Sequence, residues 1–164
     1  MITWINPENS LYVELSLKIW HKICKISDKL YPKEAGGILI GEYNKDLNRA
    51  RIHDIYSSNE NISSIASFVR KPRKTNNILR KLWDCTKGKK YFIGEWHSHP
   101  DGYGEASGLD EKTLFRIASN NKCACSRPIL IIPSGNKKYG WSAKRIWIYT
   151  REKRKLTLIT NYKF

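Results

Sequence analysis

Cysteine, acidic side chains and long apolar runs are all scarce in this sequence. Cysteine accounts for only four of 164 residues, namely Cys24, Cys85, Cys123 and Cys125, which is too few for a disulfide scaffold of this length. No window approaches the roughly 18 uninterrupted apolar residues of a membrane-spanning helix. The first ten residues, MITWINPENS, carry no pattern typical of an export signal. These absences predict an unexported, cytoplasmic protein with reduced thiols.

The shortage of acidic residues leaves a large excess of positive charge. Thirty Lys and Arg oppose 15 Asp and Glu, so the net charge is +15. Because 40% of the residues are hydrophobic and 12% are aromatic, the chain can still bury a core, which argues against intrinsic disorder. The length is typical of one domain, and we expect a single domain over residues 1–164.

The hydrophobic pattern predicts a mixed α/β or α+β domain. Apolar residues at three- and four-residue steps indicate helices at Leu11–Leu30, at Ile78–Trp83 with an end near Gly88, and from Ser107 onward. Short β-branched runs predict strands at 36–43, Ala50–Tyr56, Ala66–Val69, 91–99 and 128–133. The runs 144–150 and 155–162 predict a closing hairpin.

The residues that indicate chemistry lie at the end of the strand predicted at 91–99. His97 and His99 are two positions apart, so both imidazoles would project from one face of a strand and could bind one cation. Asp110, in the first turn of the next helix, could add a carboxylate and leave a fourth position for water, as in catalytic zinc sites. Singly, these could be ordinary strand histidines and helix-capping residues. With Ser98 and Ser107 they spell H-S-H-x7-S-x2-D, which chance would produce about three times in ten million starting positions.

This pattern resembles the JAMM motif of the JAB/MPN metalloproteases, in which a distant glutamate precedes H-[ST]-H-x7-S-x2-D. That glutamate would be Glu34, in the segment EAGGILIG. The resemblance implies the JAB/MPN fold, which is similar to that of cytidine deaminase, with a central mixed β-sheet flanked by helices. It also implies a Zn²⁺ ion bound by His97, His99 and Asp110. Glu34 would act as general base and then general acid, and Ser107 would donate to the oxyanion.

Other residues compete for these roles. Glu42, Glu95 and Glu105 are alternative carboxylates, and Glu95 is the most serious because it lies two residues before His97 on the same side of the strand. Glu95 could instead orient a ligand imidazole, whereas Trp96 should face the opposite side and join the core. Cys123 and Cys125 could supply two metal ligands, but no second Cys/His pair at zinc-finger spacing accompanies them.

The resemblance further implies a substrate class. The family cleaves peptide or isopeptide bonds, commonly at the C-terminal tail of ubiquitin or a ubiquitin-like protein, which binds extended in a groove beside the metal. This chain is similar to stand-alone bacterial JAB proteases, especially those of CBASS antiphage systems, which release a CD-NTase from a target lysine. A non-catalytic MPN scaffold and a processing peptidase of a sulfur-carrier or other ubiquitin-like pathway are the alternatives.

A basic block lies between residues 70 and 90. Its nine cationic residues are Arg70, Lys71, Arg73, Lys74, Arg80, Lys81, Lys87, Lys89 and Lys90, against the single acid Asp84. Such a block can attract nucleic acid or an acidic protein, and it is also typical of a solvated helix face. Because neither stacking aromatics nor a helix-turn-helix pattern accompanies it, an acidic protein is the favoured partner and nucleic acid a secondary one.

Overall fold

The computed structural model describes residues 1–57, 72–120 and 125–163. Within these residues the chain forms, in order, β1 (Ile2–Asn6), a 3₁₀ turn (Pro7–Asn9), β2 (Leu11–Leu15), α1 (Leu17–Leu30), β3 (Gly36–Tyr43), β4 (Arg49–Tyr56), α2 (Pro72–Cys85), β5 (Tyr91–His97), β6 (His99–Pro100), α3 (Gly108–Ser119), β7 (Ile129–Ile131), β8 (Ser134–Asn136), β9 (Gly140–Ser142), β10 (Ile146–Thr150), β11 (Lys155–Ile159) and β12 (Asn161–Lys163).

These strands build one large mixed sheet and one small sheet. The large sheet has the order β11-β10-β7-β5-β3-β4-β2-β1-β12, and the small one has the order β6-β8-β9. This is the mixed sheet flanked by helices that the sequence predicts. The predicted hairpin is confirmed for β10 and β11, which pair antiparallel. The end of the run 155–162, however, enters a separate strand, β12, which pairs with β1.

Helices α1 and α3 cover opposite faces of the large sheet. Successive residues of β7 alternate between the two cores, because side chains of a strand point to alternate faces. Ile129 and Ile131 join the core that contains Ile19, Trp20 and Ile23 of α1. Leu130 joins the second core, together with Leu114 and Ala118 of α3. Trp96 is buried in the α1 core, as predicted.

The helix predicted over Leu11–Leu30 is wrong at its start. Leu11–Leu15 is strand β2, in which Leu11, Val13 and Leu15 are buried and the residues between them are not. Leu11 and Leu15 are four positions apart, so they satisfy a helical and a strand period equally well. Ser16 marks the boundary between strand and helix, because its Oγ accepts a hydrogen bond from the Ile19 N–H at 3.3 Å and caps α1.

The connection from β5 to β7 brings the motif residues together. The two strands are parallel, with Gly94 opposite Ile129, and parallel strands need a crossover, which α3 supplies here. On its other side β5 pairs antiparallel with β3, and Gly36 lies opposite His97. The end of β5, the beginning of α3 and the beginning of β3 therefore lie close together at one end of the central strands.

Some sequence predictions concern residues that the structure does not describe, and others concern the thiols and the basic block. The strand predicted at Ala66–Val69 and the thiol of Cys123 lie outside the described residues. Cys24 and Cys85 carry free thiols, as predicted. In the basic block, Arg80 and Lys81 are exposed.

No helix among residues 1–57, 72–120 and 125–163 is long and apolar enough to span a membrane.

Candidate functional site

The two histidines of the motif meet, but not on one continuous strand. His97 ends β5 in the large sheet and His99 begins β6 in the small sheet, so the predicted strand over 91–99 is interrupted at Ser98. The Nε2 atoms of the two imidazoles nevertheless lie 3.1 Å apart. The sequence predicts that the two imidazoles converge because side chains alternate along one strand. In the structure they converge because the chain changes sheet at Ser98.

The surroundings of the two imidazoles bear on which ring nitrogens can bind a cation. Burial lowers the pKa of His97 to about 4, and the carboxylate of Asp110 only partly opposes this effect. His99 Nδ1 lies 2.7 Å from the carbonyl oxygen of Tyr103. Because a carbonyl can only accept, Nδ1 carries the proton, and Nε2 of a neutral His99 is left with its lone pair. This orientation by a backbone carbonyl is typical of metal-binding histidines.

Ser107 and Asp110 form a capping box at the start of α3. The Asp110 N–H donates to Ser107 Oγ at 3.2 Å, and the Ser107 N–H donates to Asp110 Oδ2 at 2.7 Å. The Ser107 hydroxyl also donates to Asp110 Oδ2, again at 2.7 Å. The other carboxylate oxygen, Oδ1, faces the histidines at 3.9 Å from His97 Nε2. Asp110 thus divides its two oxygens between the helix cap and the site.

The donor set fits zinc in its chemistry and in part in its spacing. Neighbouring ligands of a tetrahedral zinc ion stand about 3.3 Å apart, given metal to nitrogen distances of about 2.0–2.1 Å. The 3.1 Å between the imidazole nitrogens is close to that value, whereas the 3.9 Å between His97 and Asp110 is longer. Accordingly, no cluster of three or more His, Cys, Asp or Glu side chains in the described ranges is preassembled as a metal site.

Glu34 lies in the segment between α1 and β3, at the end of the sheet that carries His97. It precedes Gly36 by two residues, and Gly36 pairs with His97. Partial burial raises the pKa of the Glu34 carboxyl; His99 lowers this pKa and Asp110 raises it. The opposing influences of His99 and Asp110 on this pKa indicate that Glu34 shares their electrostatic environment, and its role as base stays a prediction.

The register of the sheet separates Glu42 from this site, and an ion pair engages Glu105. Gly41, next to Glu42, pairs with Tyr91 at the far end of β5, about 20 Å from His97 at roughly 3.3 Å per residue. Glu42 is hydrogen-bonded to His53 instead, at 3.0 Å. Glu105 forms an ion pair with Arg145 on the surface. Neither carboxylate is a competitor for the role of Glu34.

Glu95 lies on the α3 side of β5, as its spacing from His97 predicts. Glu95 is 4% exposed, and its pKa is raised to about 8, mainly by burial and also by the carboxylate of Asp110, against a smaller lowering by Arg116. Its Oε2 has no hydrogen-bond partner among the described residues. A carboxyl that stays protonated at neutral pH is a poor base, so Glu34 is the better candidate.

Sequence reasoning missed several hydrogen bonds around the Glu34 segment. Ser98 and Ala35 are joined by two hydrogen bonds of 2.8 Å, one from Ser98 N–H to the Ala35 carbonyl and one from Ala35 N–H to Ser98 Oγ. Tyr31 donates its hydroxyl to Asp101 Oδ2 at 2.7 Å, and Asn136 donates to Asp101 Oδ1 at 2.7 Å. The hydroxyl residue that the motif places between the two histidines was the available signal for Ser98.

An open cavity of about 300 Å³ adjoins the site. Tyr103, whose carbonyl orients His99, lies on its wall together with Glu105, Ile132, Ser134 and Lys144. The small sheet borders this cavity, and its edge strand β9 pairs only with β8 within the described residues. The cavity therefore lies beside the small sheet that carries His99, and β9 forms the edge of that sheet opposite β6.

Comparisons with known proteins agree with this arrangement. Residues 16–149 match the family model of prokaryotic homologs of the JAB domain. A protein of Enterobacter hormaechei named CD-NTase/cGAS isopeptidase is 34% identical over 110 residues, which are 66% of this chain and 59% of that relative. A Pseudomonas aeruginosa protein of the same name is 25% identical over 141 residues, 82% of this chain and 84% of the relative. The match thus spans less than two thirds of the Enterobacter protein.

A solved structure shows the same fold. The solution structure of a Desulfitobacterium hafniense protein superposes with a TM-score of 0.61 at 17% sequence identity, and the match covers 89% of this chain and 88% of that one. The family model matches most of the chain. This chain therefore belongs to the family of prokaryotic homologs of the JAB domain.

Proposed function

We propose that this chain is a JAMM-type zinc metallopeptidase of the cytoplasm. It would hydrolyse the peptide or isopeptide bond after the C-terminus of a ubiquitin-like protein, or of a CD-NTase joined to a target, in CBASS antiphage defence. The observation that carries the proposal is the convergence of His97, His99, Asp110 and Glu34 at one end of the sheet. Two similar proteins named CD-NTase/cGAS isopeptidase support the substrate class.

Three side chains would hold the metal. His97 and His99 would contribute their Nε2 atoms, which already face each other, and Asp110 would contribute Oδ1, the oxygen that the helix cap leaves available. When bound, a zinc ion would polarise the scissile carbonyl and acidify a nearby water molecule.

Glu34 would move the proton during hydrolysis. Its carboxylate would accept a proton from the attacking water and later donate that proton to the departing amine. A raised pKa suits both tasks, because a group that titrates nearer to the working pH is a competent base and a competent acid. The partial burial that raises the pKa of Glu34 therefore prepares it for this double role.

Ser107 would stabilise the negative charge that develops on the substrate oxygen. Its hydroxyl now donates to Asp110 Oδ2 while its Oγ accepts from the Asp110 N–H. The hydroxyl could turn its hydrogen toward the oxyanion and keep the backbone hydrogen bond as acceptor. One such donor typically contributes a factor of about 10²–10³ in kcat.

The groove beside the site would receive the substrate tail. An extended peptide can add to an unpaired strand edge through main-chain hydrogen bonds, and β9 presents such an edge in the described part of the chain. Lys144 on the cavity wall, and the exposed cations Arg80 and Lys81 on α2, would attract an acidic partner.

Metal analysis combined with cleavage assays tests the proposal. Wild-type protein should contain one zinc ion per chain and cleave a CD-NTase or ubiquitin-like conjugate. Glu34→Ala should keep the zinc and lose at least 100-fold in kcat, whereas His97→Ala should lose both. Glu42→Ala, at the other end of β3, is the matched control and should change neither.

Two outcomes would contradict the proposal. A Glu34→Ala protein with wild-type turnover would remove Glu34 from the chemistry. A metal-free wild type that binds conjugates fully and cleaves none would favour a non-catalytic scaffold, the alternative to which the wide spacing of His97 and Asp110 points. Cleavage of ubiquitin-like conjugates without cleavage of CD-NTase conjugates would reassign the pathway.

A further inference from the structure

We propose that Ser98 is a positioning residue that holds Glu34 in its place for proton transfer. The inference rests on the proposed function, since it assumes that Glu34 is the base. It concerns the residue between the two histidines, which would bind no metal and touch no substrate. Ser98 would act through the backbone of Ala35, the residue that directly follows Glu34.

The local backbone explains why a hydroxyl is needed at this position. β3 and β5 pair antiparallel up to Gly36 and His97, and the next pair along the ladder would be Ala35 and Ser98. The Ser98 N–H makes its expected bond to the Ala35 carbonyl at 2.8 Å. The chain then turns into the small sheet, where the His99 N–H donates to the Pro133 carbonyl at 2.8 Å. The N–H of Ala35 bonds to the Ser98 hydroxyl instead of a backbone carbonyl, at 2.8 Å.

Burial makes this bond a firm constraint. Ser98 is 0% exposed and Ala35 is 1% exposed, so water cannot replace either partner without local opening. Consecutive Cα atoms are about 3.8 Å apart, so fixing Ala35 confines the Cα of Glu34 to a small volume. Both hydrogen bonds are made by Ser98, the residue between His97 and His99 in the sequence. They therefore couple the position of Glu34 to the positions of the two imidazoles.

A second hydrogen bond near Glu34, which lies on the surface, provides the matched control. Tyr31, three residues before Glu34, donates to Asp101 Oδ2 at 2.7 Å, and this bond lies on the surface. Exposed hydrogen bonds exchange readily with water and constrain their partners less. Tyr31→Phe, which removes only this hydroxyl, should therefore leave kcat within about threefold of wild type.

Loss of the buried hydrogen bond between the Ala35 N–H and the Ser98 hydroxyl should reduce turnover without loss of metal. A displacement of about 1 Å of a catalytic group can cost 10²-fold in rate, so we expect Ser98→Ala to lower kcat about 100-fold. The KM for the conjugate and the zinc content should stay at wild-type values. Ser98→Thr keeps the hydroxyl and should restore kcat. In the metal-free protein, hydrogen exchange of the Ala35 amide should become faster in Ser98→Ala and stay slow in Ser98→Thr.

A double-mutant cycle separates positioning from a general structural role. If Ser98 acts through Glu34, Ser98→Ala should have no further effect on the residual activity of Glu34→Ala, because effects of residues that act as one unit are not additive. A further 100-fold loss in the double variant, or wild-type kcat in Ser98→Ala, would overturn the inference. If Ser98→Ala does not fold, Ser98→Cys, a weaker acceptor, should lower kcat about tenfold, and wild-type turnover there would equally overturn it. An active Glu34→Ala protein would instead refute the proposed function itself.

Discussion

Ser107 caps α3 and, in the proposed reaction, would also donate to the oxyanion, and substitutions can separate these two roles. As N-cap of α3, its Oγ accepts a hydrogen bond from the Asp110 N–H. In the proposed reaction the same hydroxyl donates to the oxyanion. Alanine removes both functions. Glycine also lacks the hydroxyl but is a tolerable N-cap, and threonine keeps both cap and donor. The three variants therefore predict different combinations of stability and activity.

The magnitudes follow from the capping box and from the oxyanion role. Ser107→Ala should lower the free energy of unfolding by about 1 kcal/mol, whereas Ser107→Gly should lower it by a few tenths. Per kcal/mol, a chain of this size shifts its Tm by about 2–4 °C. Both variants should lose about 10²–10³-fold in kcat, because each lacks the donor. Ser107→Thr should stay near wild type in both measurements.

Urea denaturation of the metal-free protein and turnover of the zinc-loaded protein on a conjugate provide the two measurements. The decisive comparison is Ser107→Gly, which should be nearly as stable as wild type and as inactive as Ser107→Ala. Turnover of Ser107→Gly within threefold of wild type would refute the oxyanion role. Activity that declines in step with stability across the three variants would show that Ser107 contributes only as a helix cap.

Two further predictions concern the interior of β5. The pKa of Glu95 is raised from about 4.5 to about 8 by burial, so its contribution to stability is complete below pH 4.5 and is lost as the pH rises to about 8, a change of up to about 5 kcal/mol. Glu95→Gln should remove this slope, which urea denaturation of both metal-free proteins between pH 5 and 9 would measure; parallel curves would contradict it. Gly94→Ala should destabilise the fold by more than about 4 kcal/mol, because a Cβ there would lie 2.0 Å from the Ile129 carbonyl oxygen. Gly108→Ala, where a Cβ meets nothing within 4 Å, is its control in the same thermal melt, and equal melting temperatures would refute the argument.

The parts of the site that depend on local chemistry could be predicted from the sequence. His97, His99 and Asp110 are close along the chain, and their residue types and spacing together indicate a cation site. The start of α3 was equally readable, because a capping box is a local signal. Glu34 lies far away in sequence, and only the family resemblance connected it to the histidines before the pairing of β3 with β5 was known.

The remaining features depend on contacts that no local pattern reports. The boundary between β2 and α1 was misplaced because Leu11 and Leu15 fit both periods. Strands β6, β8 and β9 are two or three residues long, which is too short to show a period. The function of Ser98 depends on the chain leaving one sheet for another at that residue. A change of sheet is set by tertiary packing, so the sequence showed the hydroxyl but not its partner.

The crossover from β5 through α3 to β7 carries every expected ligand of the metal, whereas Glu34 arrives with β3 from a separate part of the chain. The expected ligands and the expected base are therefore held by different parts of the chain. A substitution that weakens the pairing of β3 with β5 should displace Glu34 and leave the three expected ligands connected through the crossover.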